Sequence, residues 1–142
     1  MNKKRILMVD DEAGFTRMVK VSLEARGQYS VEVVNQPGEA LAAARRFRPD
    51  IILLDLIMPE MDGGEVARRF QGEPELRDVP IIFLTATARG KAAADGGLVS
   101  GGYLYLSKPV ALADLIRCME TYYAEKVAAT LPDGGKPKAT DT

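Results

Sequence analysis

One apolar run constrains the fold of this chain more than any other part of it. The run from Ile51 to Leu54 holds four consecutive aliphatic residues between Pro49 and Pro59. It lacks the polar alternation of a half-exposed strand, so it predicts a strand covered on both faces, as in the middle of a parallel sheet. Asp55 follows directly. Since a buried, unpaired carboxylate costs several kcal/mol, we expect Asp55 to face the crevice at the strand end where α/β sheets bind ligands.

Four other segments also predict strands, most of them apolar and the one from Tyr29 to Val34 rich in β-branched residues, and stretches typical of helices alternate with them. The predicted strands are Ile6 to Val9, Tyr29 to Val34, Ile51 to Leu54, Pro80 to Leu84 and Tyr103 to Leu106. The predicted helices are Phe15 to Leu23, Ala40 to Phe47, Gly64 to Phe70, a short or mobile one within the glycine-rich Ala88 to Gly102, and Leu112 to Tyr123. Strict β-then-α alternation predicts a parallel sheet with helices on both faces.

The length of 142 residues fits one folded domain, which we place at residues 1–127, with a disordered tail at 128–142. With 19 basic and 20 acidic residues, the chain shows no broad charge that would indicate a nucleic-acid or membrane partner. The single cysteine, Cys118, suits a reducing compartment, and no signal peptide or membrane span is present. We therefore expect a cytoplasmic protein.

Four of the five predicted strands end in residues capable of polar chemistry. These residues are Asp10 with Asp11, then Asp55, Thr85 and Lys108, whereas the strand ending at Asn35 adds nothing obvious. Parallel strands bring their carboxyl ends to one edge, so these side chains should converge. Three carboxylates repel one another unless a cation lies among them, and oxygen ligands without histidine or thiolate favour Mg²⁺. The lysine and the hydroxyl suggest an anionic group, with phosphoryl the natural candidate.

Each of these residues also has an ordinary structural interpretation when it is taken alone. Asp10 or Asp11 can cap a helix, Thr85 can end a strand in a turn, and Lys108 can be a solvated charge. The coincidence of all of them at one edge is what favours a functional site.

In this arrangement the chain resembles the receiver domain of two-component response regulators, over about Lys4 to Glu125. The motifs that carry the resemblance are Asp10-Asp11, Leu54-Asp55-Leu56-Ile57-Met58-Pro59 with Met61-Asp62-Gly63, Thr85-Ala86 and Lys108-Pro109. The resemblance implies a doubly wound, flavodoxin-like (βα)5 fold with a five-stranded parallel sheet of order 2-1-3-4-5.

The resemblance also implies roles for individual residues. Asp55 would be the phosphoacceptor, taking a phosphoryl group from a sensor histidine kinase or a histidine phosphotransfer protein. Mg²⁺ would be bound by Asp11, Asp55 and the backbone carbonyl of Ile57, with Asp10 acting through a water molecule. The Lys108 amine, the Thr85 hydroxyl and the Ala86 amide would hold phosphoryl oxygens. The domain would assist its own phosphorylation and dephosphorylation without being an enzyme.

Further implied features concern switching and lifetime. Thr85 and Tyr105 would form the switch, and Lys108-Pro109 is the expected cis peptide. Ile57 and Thr87 would flank the approach of hydrolytic water, and the apolar Ile57 predicts a long-lived acyl phosphate. The switched surface would comprise the fourth helix, the fifth strand and the fifth helix. There, Gly101-Gly102-Tyr103-Leu104 replaces small and acidic residues, which predicts an apolar partner surface or homodimer contact.

Competing functions remain open at this stage. The chief alternative is a degenerate receiver that binds partners without phosphorylation. A phosphatase of the haloacid dehalogenase type would need a second acid at Ile57, and a flavodoxin-type binder would need a phosphate loop where Asp10-Asp11-Glu12 stands. The absence of histidine excludes a histidine kinase or phosphotransfer protein. No effector domain is visible in this chain, so output is expected through protein contacts with an unknown target, unless the chain is part of a longer one.

Overall fold

The computed structural model describes residues 3–85, 98–100 and 103–130 of the chain. The strands are β1 (Lys4–Val9), β2 (Tyr29–Val34), β3 (Ile51–Asp55), β4 (Ile81–Thr85), β5 (Leu98–Ser100) and β6 (Tyr103–Ser107). The helices are α1 (Ala13–Glu24), α2 (Ala40–Phe47), α3 (Gly63–Gln71) and α4 (Leu112–Thr130), and a 3-10 turn at Pro37–Glu39 leads into α2.

The sheet confirms the predicted topology and adds one strand to it. Its order is β2-β1-β3-β4-β6-β5, in which the first five are parallel and correspond to the predicted order 2-1-3-4-5. The additional strand β5 pairs antiparallel with β6. It falls in the glycine-rich segment where the sequence predicts a short helix. Glycines on both sides disfavour a helix there, whereas the short apolar run between them can form a strand beside β6. The rest of that segment, 86–97 and 101–102, lies outside the described residues.

Two apolar clusters lie on opposite faces of the sheet, as the doubly wound arrangement requires. On β1, Ile6 and Met8 join one cluster, which α1 and α4 cover, while Leu7 and Val9 join the other, which α2 and α3 cover. All five residues of β3 are buried. The uninterrupted apolar run therefore marks a central strand, as predicted from its composition.

The helix ends have local causes. Asp62 caps α3 by accepting a hydrogen bond from the Glu65 backbone N–H at 2.9 Å. Arg48, with φ of 58°, ends α2 in a left-handed conformation that a non-glycine residue seldom adopts.

Helix α4 runs to Thr130, so the predicted domain boundary at residue 127 falls inside it. Among the described residues, no helix is long and apolar enough to span a membrane.

Strand register brings the chemically active residues to one edge. Val9 is level with Leu54, and Leu54 is level with Phe83. Thr85 is level with Ser107 across the β4–β6 pair. The residues that end or follow these strands therefore gather at the carboxyl edge of the sheet.

Candidate functional site

Three aspartates form an acidic cluster at the carboxyl edge of the sheet. Asp10 follows β1 and is fully buried, Asp55 ends β3 and is 4% exposed, and Asp11 is exposed. One carboxylate oxygen from each of the three lies within 4.8 Å of the others. The structure thus brings together the acids that the sequence placed at two strand ends.

The loop that carries Asp10 is held by residues that sequence reasoning missed. Asn35 donates from Nδ2 to the Asp10 backbone carbonyl at 2.8 Å and to Thr16 Oγ1 at 3.0 Å. The Glu12 backbone N–H donates to Asp10 Oδ1 at 2.9 Å. The sequence signal for this role is the position of Asn35 at a strand end on the same edge of the sheet.

Gly63 sets the path of the chain immediately after Asp55. Its N–H donates to the Leu56 carbonyl at 2.8 Å, which draws the start of α3 against the end of β3. A Cβ at Gly63 would collide with the backbone carbonyl oxygen of Asp55 and would lie 2.9 Å from Leu56 Cα. Only glycine allows the two segments to approach this closely.

Lys108 reaches the acidic cluster from the loop after β6. Its Nζ lies 2.8 Å from Asp10 Oδ2, 3.0 Å from Glu12 Oε1 and 3.6 Å from Asp55 Oδ1. Its backbone N–H donates to the Thr85 carbonyl at 3.0 Å. The peptide bond between Lys108 and Pro109 is cis, and it is the bond that the sequence analysis singled out. Lys108 therefore bridges the end of β4 and the acidic loop.

The electrostatics of the site are those of a charged cluster partly removed from water. Burial raises the pKa of Asp55 to about 6; the Asp10 charge also raises it, while Lys108 and the Ile57 backbone N–H act in the opposite direction. Burial alone would lower the pKa of Lys108, but its contacts with Asp10 and Glu12 outweigh burial and hold that pKa above its ordinary value. One lysine does not neutralise three carboxylates.

The donor set fits a hard divalent cation. The three aspartates offer converging oxygens, which is the ligand type that Mg²⁺ prefers. Asp10 Oδ2 is buried and meets no donor in hydrogen-bonding geometry among the described residues, although the Lys108 ammonium contacts it at 2.8 Å. Burial and the charge of Asp10 disfavour the Asp55 anion and raise its pKa, so an added positive charge would relieve the cluster.

A cavity of about 530 Å³ opens onto this cluster. Its lining comprises Asp11, Glu12, Phe15, Asp55, Ile57, Lys108 and Pro109. Among the lining residues Ile57 is 60% exposed, and Thr85 is 1% exposed at the end of β4. Ala86 and Thr87, which the sequence analysis also placed at this site, lie outside the described residues.

The aromatic residues of β6 pack together on one face of the sheet. Tyr105 stacks on Phe83 at a centroid distance of 4.9 Å, and Tyr103 meets the same ring edge-on at 5.2 Å. Leu104 points to the opposite face and is buried in the core. The prediction that Leu104 contributes to an exposed apolar surface is therefore wrong, because strand alternation turns it inward.

Comparison with known proteins gives consistent matches. A family model described as the response regulator receiver domain matches residues 6–120. The response regulator PleD of Caulobacter vibrioides is 41% identical over 106 residues, covering 75% of this chain and 23% of PleD. The response regulator MprA of Mycobacterium leprae is 41% identical over 112 residues, covering 79% of this chain and 47% of MprA. The chain thus spans about a quarter to a half of the length of these relatives.

Solved structures match over nearly their whole length. The Vibrio cholerae chemotaxis protein CheY4 aligns with a TM-score of 0.73 at 30% identity, covering 85% of this chain and 99% of that one. The Francisella response regulator 1452 receiver domain aligns with a TM-score of 0.70 at 26% identity, covering 87% and 98%.

Proposed function

The chain belongs to the response regulator receiver domains of two-component systems, and from this premise we propose that Asp55 accepts a phosphoryl group in a Mg²⁺-dependent reaction. The family is a signalling domain, its members bind Mg²⁺ at an acidic pocket, and response regulators partner with histidine kinases. The observation that carries the proposal is the three-carboxylate cluster with Lys108 Nζ 3.6 Å from Asp55 Oδ1.

Asp55 is suited to be the nucleophile. Its carboxylate lines the cavity, and the Ile57 N–H and Lys108 favour its ionised form, although burial and the Asp10 charge outweigh them and raise its pKa to about 6. In the proposed step, an Asp55 oxygen attacks the phosphorus of a phosphohistidine. The P–N bond breaks, its electron pair returns to the imidazole nitrogen, and an acyl phosphate forms on Asp55. The donor would be a sensor histidine kinase or a histidine phosphotransfer protein.

The neighbouring residues would hold the metal and the transferred group. Asp11, Asp55 and the Ile57 carbonyl would bind Mg²⁺, with Asp10 acting through water. The ion, when bound, would neutralise charge between the carboxylates and the phosphoryl oxygens. Lys108 would donate to one phosphoryl oxygen, and the Thr85 hydroxyl and the Ala86 amide would donate to others.

Phosphorylation would then alter a protein-binding surface. Thr85 lies two residues after Phe83, and the Phe83 ring stacks on Tyr105. A movement of Thr85 toward the phosphoryl group would disturb this stack and let Tyr105 change position. The altered surface would include β6 and α4, and it would contact a downstream protein or a second copy of the chain in the cytoplasm.

Incubation with acetyl phosphate tests the proposal directly. With Mg²⁺, intact mass should show one added phosphoryl group on the wild-type chain and none on Asp55→Ala. Asp78→Ala, which removes an exposed carboxylate from the α3–β4 loop, is the matched control and should be modified like wild type. If wild type gains no phosphoryl mass, the assignment of Asp55 as phosphoacceptor is refuted and a degenerate receiver is favoured. If Asp55→Ala still gains that mass, the assignment is also refuted.

The lifetime of the acyl phosphate is expected to depend on Ile57. Its side chain is 60% exposed, lines the cavity and cannot orient a water molecule by hydrogen bonding. Ile57→Asn should therefore speed dephosphorylation severalfold, as measured by the decay of the phosphorylated mass after acetyl phosphate is removed. An unaltered decay rate would contradict this expectation.

A further inference from the structure

Lys108 is held by acids on the α1 side of the site more closely than by Asp55. Its Nζ lies 2.8 Å from Asp10 Oδ2 and 3.0 Å from Glu12 Oε1, against 3.6 Å from Asp55 Oδ1. The same nitrogen lies over the Phe15 ring, 4.8 Å from its centroid. These contacts draw the ammonium toward the segment that leads into α1.

The two closer carboxylates differ in what their release would cost. The Asp10 side chain is 1% exposed, so leaving it without its cation would strand a buried charge. The Glu12 side chain is 63% exposed and can return to water at little cost. Glu12 also lies outside the group of three aspartates that converge as metal ligands. Of the contacts that Lys108 makes, the one with Glu12 is thus the easiest to exchange.

We propose that Glu12 is a positioning residue that holds Lys108 away from Asp55 and competes with the phosphoryl group for its ammonium. This inference rests on the proposed function. A phosphoryl group on Asp55 would present charged oxygens that attract the ammonium, which lies 3.6 Å from Asp55 Oδ1 and closer to Asp10 and Glu12. Lys108 can approach them by giving up Glu12 while it keeps Asp10. The Glu12 carboxylate therefore opposes phosphoryl binding, and the opposition acts through Lys108.

The expected size of the effect follows from the exposure of the pair. Half-exposed ion pairs of this kind change an equilibrium by about two- to fivefold. Glu12→Gln keeps the side-chain length and removes the charge. It should tighten binding of a phosphoryl analogue by that factor.

The test is a calorimetric titration of the full chain with beryllofluoride at saturating Mg²⁺. Glu12→Gln should bind it about two- to fivefold more tightly than wild type. Glu75→Gln is the matched control, because it removes the same charge from an exposed position on the α3–β4 loop, at the opposite edge of the sheet. It should bind like wild type. In a Lys108→Gln background, the Glu12 substitution should have no effect, since its action requires the ammonium.

The outcomes separate this inference from the function on which it rests. If wild type fails to bind beryllofluoride, or Asp55→Asn binds it equally, the phosphoacceptor assignment falls and the inference with it. If wild type binds and Glu12→Gln binds no more tightly, only the inference is overturned. A gain of equal size in Glu75→Gln or in the Lys108→Gln background would also overturn it, because it would show a general charge effect.

Discussion

Gly63→Ala should destabilise the protein and distort the phosphoacceptor site, whereas Gly64→Ala should not. At position 63 the new Cβ would meet the Asp55 carbonyl oxygen and lie 2.9 Å from Leu56 Cα, and both are backbone atoms that cannot rotate away. Overpacking of this kind costs about 1–3 kcal/mol, and the helix preference of alanine offsets less than about 1 kcal/mol of it. We therefore expect a net loss of about 1–2 kcal/mol in the free energy of unfolding.

Gly64 provides the matched control on the same turn of α3. A Cβ there would lie 3.4 Å from Asp62 Oδ1, an ordinary contact with a side-chain atom. Gly64→Ala should be neutral or stabilising by up to about 1 kcal/mol. Urea denaturation gives both free energies, and acetyl phosphate labelling reports the state of Asp55 in each folded variant. The reasoning is refuted if Gly63→Ala is as stable as Gly64→Ala and is labelled at the wild-type rate.

Three further predictions concern other parts of the molecule. Glu24 accepts a hydrogen bond at 2.9 Å from the backbone N–H of Val31 on the edge strand β2. Burial would raise the pKa of Glu24, but this hydrogen bond and the contact with Lys20 outweigh burial and lower that pKa. Glu24→Ala should lower the free energy of unfolding by less than about 1 kcal/mol at neutral pH, since the Glu24 side chain is 36% exposed. In urea melts, the stability difference between wild type and Glu24→Ala should vanish as the pH falls below 4.5 and through the lowered pKa of Glu24. Burial and the 2.5 Å hydrogen bond to Glu120 raise the pKa of Tyr29 to about 12. The stabilisation from Tyr29 should be complete below pH 10 and lost as the pH rises through about 12, so the stability gap between wild type and Tyr29→Phe should close over that range. Asp55→Asn removes one of three carboxylates with oxygens within 4.8 Å, so without divalent ions it should raise the free energy of unfolding by on the order of 1 kcal/mol. Mg²⁺ should then raise the melting temperature of wild type more than that of the variant, and the opposite ranking in a thermal melt would contradict a metal site there.

The sequence predicts the central strands because they are short apolar runs without alternation, and both faces of β3 are buried as such a run requires. It predicts the gathering of Asp10, Asp55 and Lys108 because parallel strands leave little choice of edge. It does not predict which acid the lysine contacts, since that depends on side-chain positions differing by less than 1 Å.

Other features escape sequence reasoning for different reasons. The role of Asn35 depends on contacts with Thr16 and the Asp10 carbonyl, which come from separate segments of the chain. Strand β5 depends on pairing with β6, and helix propensity alone does not report such a partner. Tertiary contacts therefore decide these features over local preference.

The geometry of the site is a consequence of register in the core. Leu53 and Leu54 of β3 point to opposite faces, and each joins a different apolar cluster. A slip of one residue would exchange these faces along the whole strand, so packing of the two clusters holds the register firmly. Asp55 continues the same strand and is level with Leu84, so its position is set by the same packing. The apolar core thus stabilises an acidic cluster that is unfavourable by itself.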